Sequence, residues 1–239
     1  MRAMILAAGL GTRFKPWTDH HPKALALVHG KSLLQRNIEY LQQYGVDEVV
    51  VNVHHFADQI EEALHRNKGW GSTIAISDER DVVLETGGGL LKAAPMLRGE
   101  RFVLMNVDIL TDMDLRAMIQ FHDRLLPVAT LAVSDRNSSR SFLFDHFHNL
   151  CGWRNSKTGE EKVSRTAADM IPKAFSGIHV IEPALLNLVK RTGKFSMVDV
   201  YLDLAVTEII KGFDHTGARL IDVGKPESVV EAERLFATP

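Results

Sequence analysis

Six short runs rich in apolar and β-branched residues recur along this chain, at residues 3–8, 48–53, 73–77, 102–106, 129–133 and 174–180. Between them lie stretches whose apolar residues return every three or four positions: Leu33, Leu34, Ile38 and Leu41, then Phe56, Ile60 and Leu64. Leu115, Met118, Ile119 and Leu126 mark another such stretch, with Thr111 or Asp112 as its expected N-cap. Strands that alternate with helices in this way pack as an α/β sheet. The simplest expectation is one α/β domain over residues 1–239, its mostly parallel sheet flanked by helices, with two smaller domains as the alternative. The first, fourth and fifth runs are almost continuously apolar, as central strands covered on both faces should be.

The second half is less regular. Alternation across residues 142–153 predicts a hairpin about Asn149, and residues 155–172 form a polar stretch suited to a mobile loop. Helices are expected at residues 183–190 and 199–211, then a strand at 218–221 and a last helix opened by Pro226. No internal repeat appears, and no hexapeptide repeat of a left-handed β-helix tail.

Composition narrows the function classes. With 45% hydrophobic and 24% charged residues the chain is neither disordered nor fibrous. Its formal net charge of −2, with Lys and Arg interspersed among acids, provides no nucleic-acid-binding surface. No stretch approaches the roughly 20 apolar residues of a transmembrane helix, and the apolar start is too short for a signal sequence. The single cysteine, Cys151, cannot pair within the chain and reads as a strand residue in a reducing compartment, so a cytoplasmic location is expected. His20-His21, His54-His55, His146 and His148 lack partners at zinc-site spacing, and no Ser stands in a G-x-S-x-G elbow.

Four segments could carry chemistry. After the first strand comes Leu6-Ala7-Ala8-Gly9-Leu10-Gly11-Thr12-Arg13. Glycines there let backbone N–H groups converge on an anion, and Arg13, Lys15 and Lys23 place cations at the mouth of the strand. A Walker A loop lacks its Lys-Ser or Lys-Thr, and the dinucleotide fingerprint fails because Phe14 stands at its third glycine. Asp108 follows the strand 102–106, and Asp222 follows the strand 218–221. Each alone reads as a turn or cap; together, two strand-end carboxylates suit Mg²⁺, which takes few protein ligands. Glu85-Thr86-Gly87-Gly88-Gly89 leads into a helix through Leu90 and Leu91. Its glycines would serve either the close approach of a flat base or a hinge.

These residues resemble the signature of the sugar-1-phosphate nucleotidyltransferase family: Leu6 to Arg13, Pro16 and Pro22-Lys23-Ala24-Leu25, followed in order by Asp108 and Asp222. The resemblance spans essentially the whole chain, and it implies a single Rossmann-like α/β domain, with a mostly parallel mixed sheet flanked by helices, whose N-terminal half binds nucleotide and whose C-terminal half binds sugar phosphate. It implies further that Ala8, Gly9, Gly11 and Thr12 line the nucleotide, with Arg13 and Lys23 on its phosphates as the catalytic cations. Glu85, Thr86 and Gly87 would meet the base; Asn106, Gly177 and Asp199 would meet the sugar phosphate; Asp108 and Asp222 would hold Mg²⁺. The substrates implied are a nucleoside triphosphate and a sugar 1-phosphate. Compact length, Glu85 to Gly89, Phe175-Ser176-Gly177-Ile178-His179 and Lys194-Phe195-Ser196 with Asp199 are most similar to a uridylyltransferase subgroup. Trp17, Ala24, Val107 and Lys225 depart from the family's usual residues without removing a charge. A guanylyltransferase acting on mannose or heptose 1-phosphate stays open, as does a sensor that binds sugar nucleotides without turnover. The sequence is silent on oligomeric state.

Overall fold

The computed structural model describes residues 1–237. Its elements, in chain order, begin with β1 (Arg2–Leu6), the two-residue strands β2 (Leu27–Val28) and β3 (Lys31–Ser32), and α1 (Leu33–Gln42). Then follow β4 (Glu48–Val53), α2 (Ala57–Arg66), β5 (Thr73–Asp78), α3 (Glu85–Leu97), β6 (Phe102–Asn106), β7 (Ile109–Thr111) and α4 (Leu115–Leu125). The second half holds β8 (Ala129–Ser134), β9 (Arg140–Phe144), β10 (Leu150–Asn155), β11 (Glu161–Val163) and β12 (Ile171–Ile181). It closes with α5 (Ala184–Leu188), α6 (Met197–Leu204), β13 (Ile210–Asp214), β14 (Leu220–Asp222) and α7 (Glu227–Leu235).

The body of the sheet runs β5-β4-β1-β6-β12-β8-β13. Four of its six pairings are parallel, namely β5 with β4, β4 with β1, β1 with β6, and β8 with β13. β12 is antiparallel to both neighbours, β6 and β8. The start of β12 also pairs with β9, from which β10 and β11 extend as an antiparallel annex. This is the mixed α/β sheet expected. β1 shows why the apolar runs are uninterrupted: Ala3 and Ile5 enter the core under α1 and α2, while Met4 and Leu6 enter the core under α3. A strand buried on both faces has no solvent side on which to place polar residues.

Several expectations are corrected. The N-cap of α4 is Asp114, whose carboxylate accepts from the N–H groups of Arg116 and Ala117 at 2.9 and 3.2 Å. Thr111 and Asp112 are engaged elsewhere: the Thr111 hydroxyl donates to Arg219 O at 2.7 Å, and the Asp112 carboxylate receives Arg219 N and Nε. The helix expected over 199–211 ends at Leu204, and Ile210–Asp214 is the strand β13, paired with β8. Lone strand edges are exposed hydrogen-bonding rows, and β13 covers the one β8 would otherwise present. The polar stretch 155–172 contributes β11 and the first residues of β12 to the annex. Cys151 is fully buried in β10. Among the described residues no helix is long and apolar enough to cross a membrane.

Candidate active site

The parallel strands β1, β4 and β6 end at one edge, and a cleft of about 500 Å³ opens there. Its floor is the turn after β1. Ladder pairing stops at Leu6, and the next two N–H groups, of Ala7 and Ala8, donate to the side-chain oxygen of Asn52 at 2.7 and 3.3 Å. The chain then reverses at Gly11, whose φ of +60° is the left-handed region. A Cβ at Gly11 would also lie 2.8 Å from Thr18 Cγ2, while the Thr18 hydroxyl donates to Gly11 O at 2.9 Å. Only glycine meets both demands. A Cβ at Gly9, by contrast, would meet no atom within 4 Å, so the backbone there is open to a ligand. Ala8, Gly9, Gly11 and Thr12 all line the cleft.

Lys23 and Asp108 line the cleft, and Arg13 and Asp222 stand next to them outside its lining. Lys23 forms an ion pair with Asp108, and both side chains are only 14% exposed. Asp108 follows β6, and its carbonyl accepts from Val223 N at 2.8 Å. Asp222 lies opposite Ile109 in the β14–β7 pairing, so these two contacts bring Asp222 beside Asp108 from 114 residues away. Crowding by surrounding protein atoms and the neighbouring Asp108 carboxylate push the pKa of Asp222 up although the residue keeps an exposed face, against the pull of Lys23, Arg13 and Arg136. A Cβ at Gly224 would come 3.0 Å from the Arg13 guanidinium, which therefore lies over that glycine. Arg13, Lys23, Asp108 and Asp222, distant in sequence, form one cluster. Among the described residues no group of three or more metal-ligating side chains occurs. Two crowded carboxylates with hard oxygen donors fit a Mg²⁺ that keeps its other positions for water and phosphate.

The opposite wall is the start of α3. Glu85 and Thr86 line the cleft, and Glu85 holds a left-handed φ of +59°. Gly87 does not line it. Gly87 N and Gly88 N donate to Phe195 O at 2.9 and 3.3 Å. A Cβ would fall 2.5 Å from the Phe195 ring at Gly87, 2.2 Å from Gly193 O at Gly88, and 2.6 Å from Glu79 Oε1 at Gly89. All three glycines lie inside the helix, where they admit neighbouring chain, and neither a base nor a hinge is required to account for them. The Thr86 hydroxyl receives Met197 N at 2.8 Å, and Lys194 and Ser196 face the cleft from this side.

Of the residues expected on the sugar side, Asn106 lines the cleft at the end of β6. Gly177, with φ +72°, lies against it: a Cβ there would sit 3.0 Å from Asn106 Nδ2. Asp199 is set apart from the cleft lining. It caps α6 reciprocally with Ser196, whose hydroxyl receives Asp199 N at 3.2 Å and donates to Asp199 Oδ2 at 3.0 Å. The sequence reading missed Asn52, Glu79 and Lys194 in the lining, and Arg136 near Asp222. Asn52 carries a faint signal, a lone amide ending the run Val49-Val50-Val51 as Asn106 ends its own strand.

Known proteins resemble this chain in sequence and fold. Relatives described as N-acetylmuramate alpha-1-phosphate uridylyltransferase occur in Neisseria meningitidis serogroup B, 33% identical over 98% of both chains, and in Caulobacter vibrioides. The latter is 32% identical over 98% of this chain and 96% of its own. The mannose-1-phosphate guanylyltransferase catalytic subunit beta of Drosophila melanogaster is 27% identical, with 98% of this chain covering 62% of that protein. Among solved structures, HddC from Yersinia pseudotuberculosis superposes with a TM-score of 0.79 at 25% identity, covering 98% of this chain and 99% of its own. A structure described as a putative glucose-1-phosphate thymidylyltransferase from Bacillus anthracis reaches 0.81 at 16% identity, covering 98% of this chain and 94% of its own. The family profile described as nucleotidyl transferase matches residues 2–142, more than half the chain, and with near-full-length relatives above 30% identity the chain belongs to the nucleotidyl transferase family.

Proposed function

We propose that the chain is a sugar-1-phosphate nucleotidyltransferase that joins UTP to N-acetylmuramate 1-phosphate and releases pyrophosphate. The observation that carries the reaction type is the single cluster of Arg13, Lys23, Asp108 and Asp222 at the end of β1 and β6. The reaction brings two polyanions together, so positioning and charge neutralisation do most of the catalysis. A sugar phosphate oxygen attacks the α-phosphorus, and pyrophosphate leaves opposite. The attacking phosphate is already ionised, so no general base is required. Arg13 holds the departing pyrophosphate, and Lys23 moves from Asp108 toward the reacting phosphates. Asp108 and Asp222 would hold Mg²⁺, which supplies further positive charge to the phosphates. The N-terminal half binds nucleotide and the C-terminal half, through Gly177, the sugar phosphate, with Asn106 at the end of β6 beside it; Asp199, at the cap of α6, contributes from farther off.

The choice of UTP and N-acetylmuramate 1-phosphate is supported by the two relatives of matching length, and would place the protein in peptidoglycan recycling in the cytoplasm. A guanylyltransferase reading is favoured instead by the mannose-1-phosphate relative. Pyrophosphate release should be measured with Mg²⁺, crossing UTP, GTP, CTP, dTTP and ATP with muramate, glucosamine, glucose, mannose and heptose 1-phosphates. UTP with N-acetylmuramate 1-phosphate as the productive pair bears the proposal out. GTP with mannose or heptose 1-phosphate keeps the chemistry and overturns the substrates. Nucleotide binding without release from any pair overturns the enzyme reading in favour of a sensor.

A further inference from the structure

Glu79 is fully buried and takes no part in the charge cluster. It follows β5, and its N–H donates to Val53 O at 2.8 Å. Both carboxylate oxygens are engaged by donors on different walls of the cleft. Oε1 receives the Asn52 amide Nδ2 at 2.7 Å, and Oε2 receives Leu84 N at 3.3 Å. Burial pushes the Glu79 pKa up, and these two donors pull the other way. Asn52, itself 2% exposed, presents its Oδ1 to Ala7 N and Ala8 N. Gly89 packs so closely on Glu79 that a Cβ would meet Oε1 at 2.6 Å. One continuous buried strut therefore runs from the turn after β1, through Asn52 and Glu79, to the N-terminus of α3.

We infer that Glu79 is a positioning residue: it orients the Asn52 amide and so holds the two walls of the nucleotide cleft at a fixed separation. An ionised carboxylate offers only acceptors. Facing it, Asn52 must point its NH₂ toward Glu79, which leaves its oxygen for the Ala7 and Ala8 N–H groups. Were the Asn52 amide reversed, those two buried donors would face an NH₂ group and Asn52 Oδ1 would face a carboxylate oxygen. The polarity of the whole strut is thus set by one charge. In binding terms the inference rests on the reading of this cleft as a nucleotide site, but its structural content does not.

The hydrogen-bond pattern yields a charge-swap test. In Glu79→Gln the side chain keeps its shape but has one acceptor for two donors, so either Leu84 N loses its partner or Asn52 turns over. In Asn52→Asp two carboxylates meet at the former 2.7 Å contact. The double variant Asn52→Asp/Glu79→Gln restores every bond. The new carboxylate at position 52 accepts from Ala7 N, Ala8 N and the new amide NH₂ at position 79, while the amide oxygen at position 79 accepts from Leu84 N. Amide hydrogen exchange of the ligand-free protein reads the strut directly. Each single variant should raise exchange across residues 7–12 and 84–89 by about tenfold, leaving α4 and α7 unchanged, and the double variant should return it to the wild-type level. In pyrophosphate-release assays each single variant should raise the nucleotide KM by about tenfold with a smaller effect on kcat, and the double variant should recover it. If the single variants do not fold, the inference requires that the double variant does. Unchanged exchange in Glu79→Gln, or a double variant no better than the worse single one, overturns it. A wild-type protein without transferase activity would refute the proposed function alone, since hydrogen exchange still decides the strut.

Discussion

Replacing Gly88 by Ala sets two effects of known sign against each other. A glycine in a helix is about 1 kcal/mol less favourable than alanine, so on propensity alone the substitution stabilises. The structure opposes this. The new methyl would lie 2.2 Å from Gly193 O and 3.0 Å from Leu84 Cβ, and the first of these is backbone that cannot rotate away. Relief requires the 193–195 loop or the start of α3 to move by roughly 1 Å, an overpacking cost of about 1–3 kcal/mol. That movement also strains the bonds from Gly87 N and Gly88 N to Phe195 O, each worth about 1 kcal/mol. The balance is a net loss of about 2–3 kcal/mol. For a domain of this size that lowers Tm by about 5–10 °C. The displaced segments carry Glu85 and Thr86 on one side and Lys194 and Ser196 on the other, so the nucleotide KM should rise as well. Gly193→Ala is the useful comparison, because its φ of +75° strains any side chain while no atom lies within 4 Å of the new Cβ. It should cost only about 1 kcal/mol of stability. Thermal unfolding of both variants, paired with nucleotide titration, makes the test. A Gly88→Ala protein as stable as wild type would refute the packing explanation and return the glycines to a role in base approach or hinge motion.

Three further outcomes are expected. Asp108→Asn should lower turnover at saturating Mg²⁺ by at least about a hundredfold while far-ultraviolet circular dichroism stays unchanged; near-normal turnover would remove Asp108 from the metal site. Lys23→Met leaves the Asp108 carboxylate beside Asp222 without its cation, and should cost about 1–3 kcal/mol of stability in chelator, measured by urea unfolding, with Mg²⁺ restoring part of it. His179 is buried against Tyr201 OH at 2.6 Å, and burial pulls its pKa down to about 3. Its folded value lies below the unfolded one, so its contribution is present above about pH 6.5 and is lost as pH falls toward 3, at up to about 1.4 kcal/mol per pH unit. Urea unfolding between pH 7 and 5 should show His179→Gln with a shallower loss than wild type.

The residues legible from sequence were those whose meaning depends only on being at the end of a strand. Parallel strands deliver their carboxyl ends to one edge, so Gly9, Gly11 and Asp108 could be assigned to a common site before any contact was known, whereas Asp222 reaches it on β14, antiparallel to β7 in a separate two-stranded sheet. The glycines at 87–89 were legible only in part: their composition demands close approach of something, but not whether that neighbour is ligand or chain, and Phe195 and Gly193 lie far off in sequence. The cap of α4 failed for a similar reason, since Asp112 looks free until Arg219, 107 residues away, takes it. In the segment 199–211 the apolar residues fit a helix as well as a strand, and only the open edge of β8 decides that residues 210–214 extend. The Asn52–Glu79 strut was the least visible part. Each residue alone is an ordinary polar side chain at a strand end, and its significance arises from a partner 27 positions away and two backbone donors 44 and 45 positions away. Catalytic charges announce themselves because chemistry restricts the residue type. A positioning residue is defined by which donors face it, and that is a property of the folded chain.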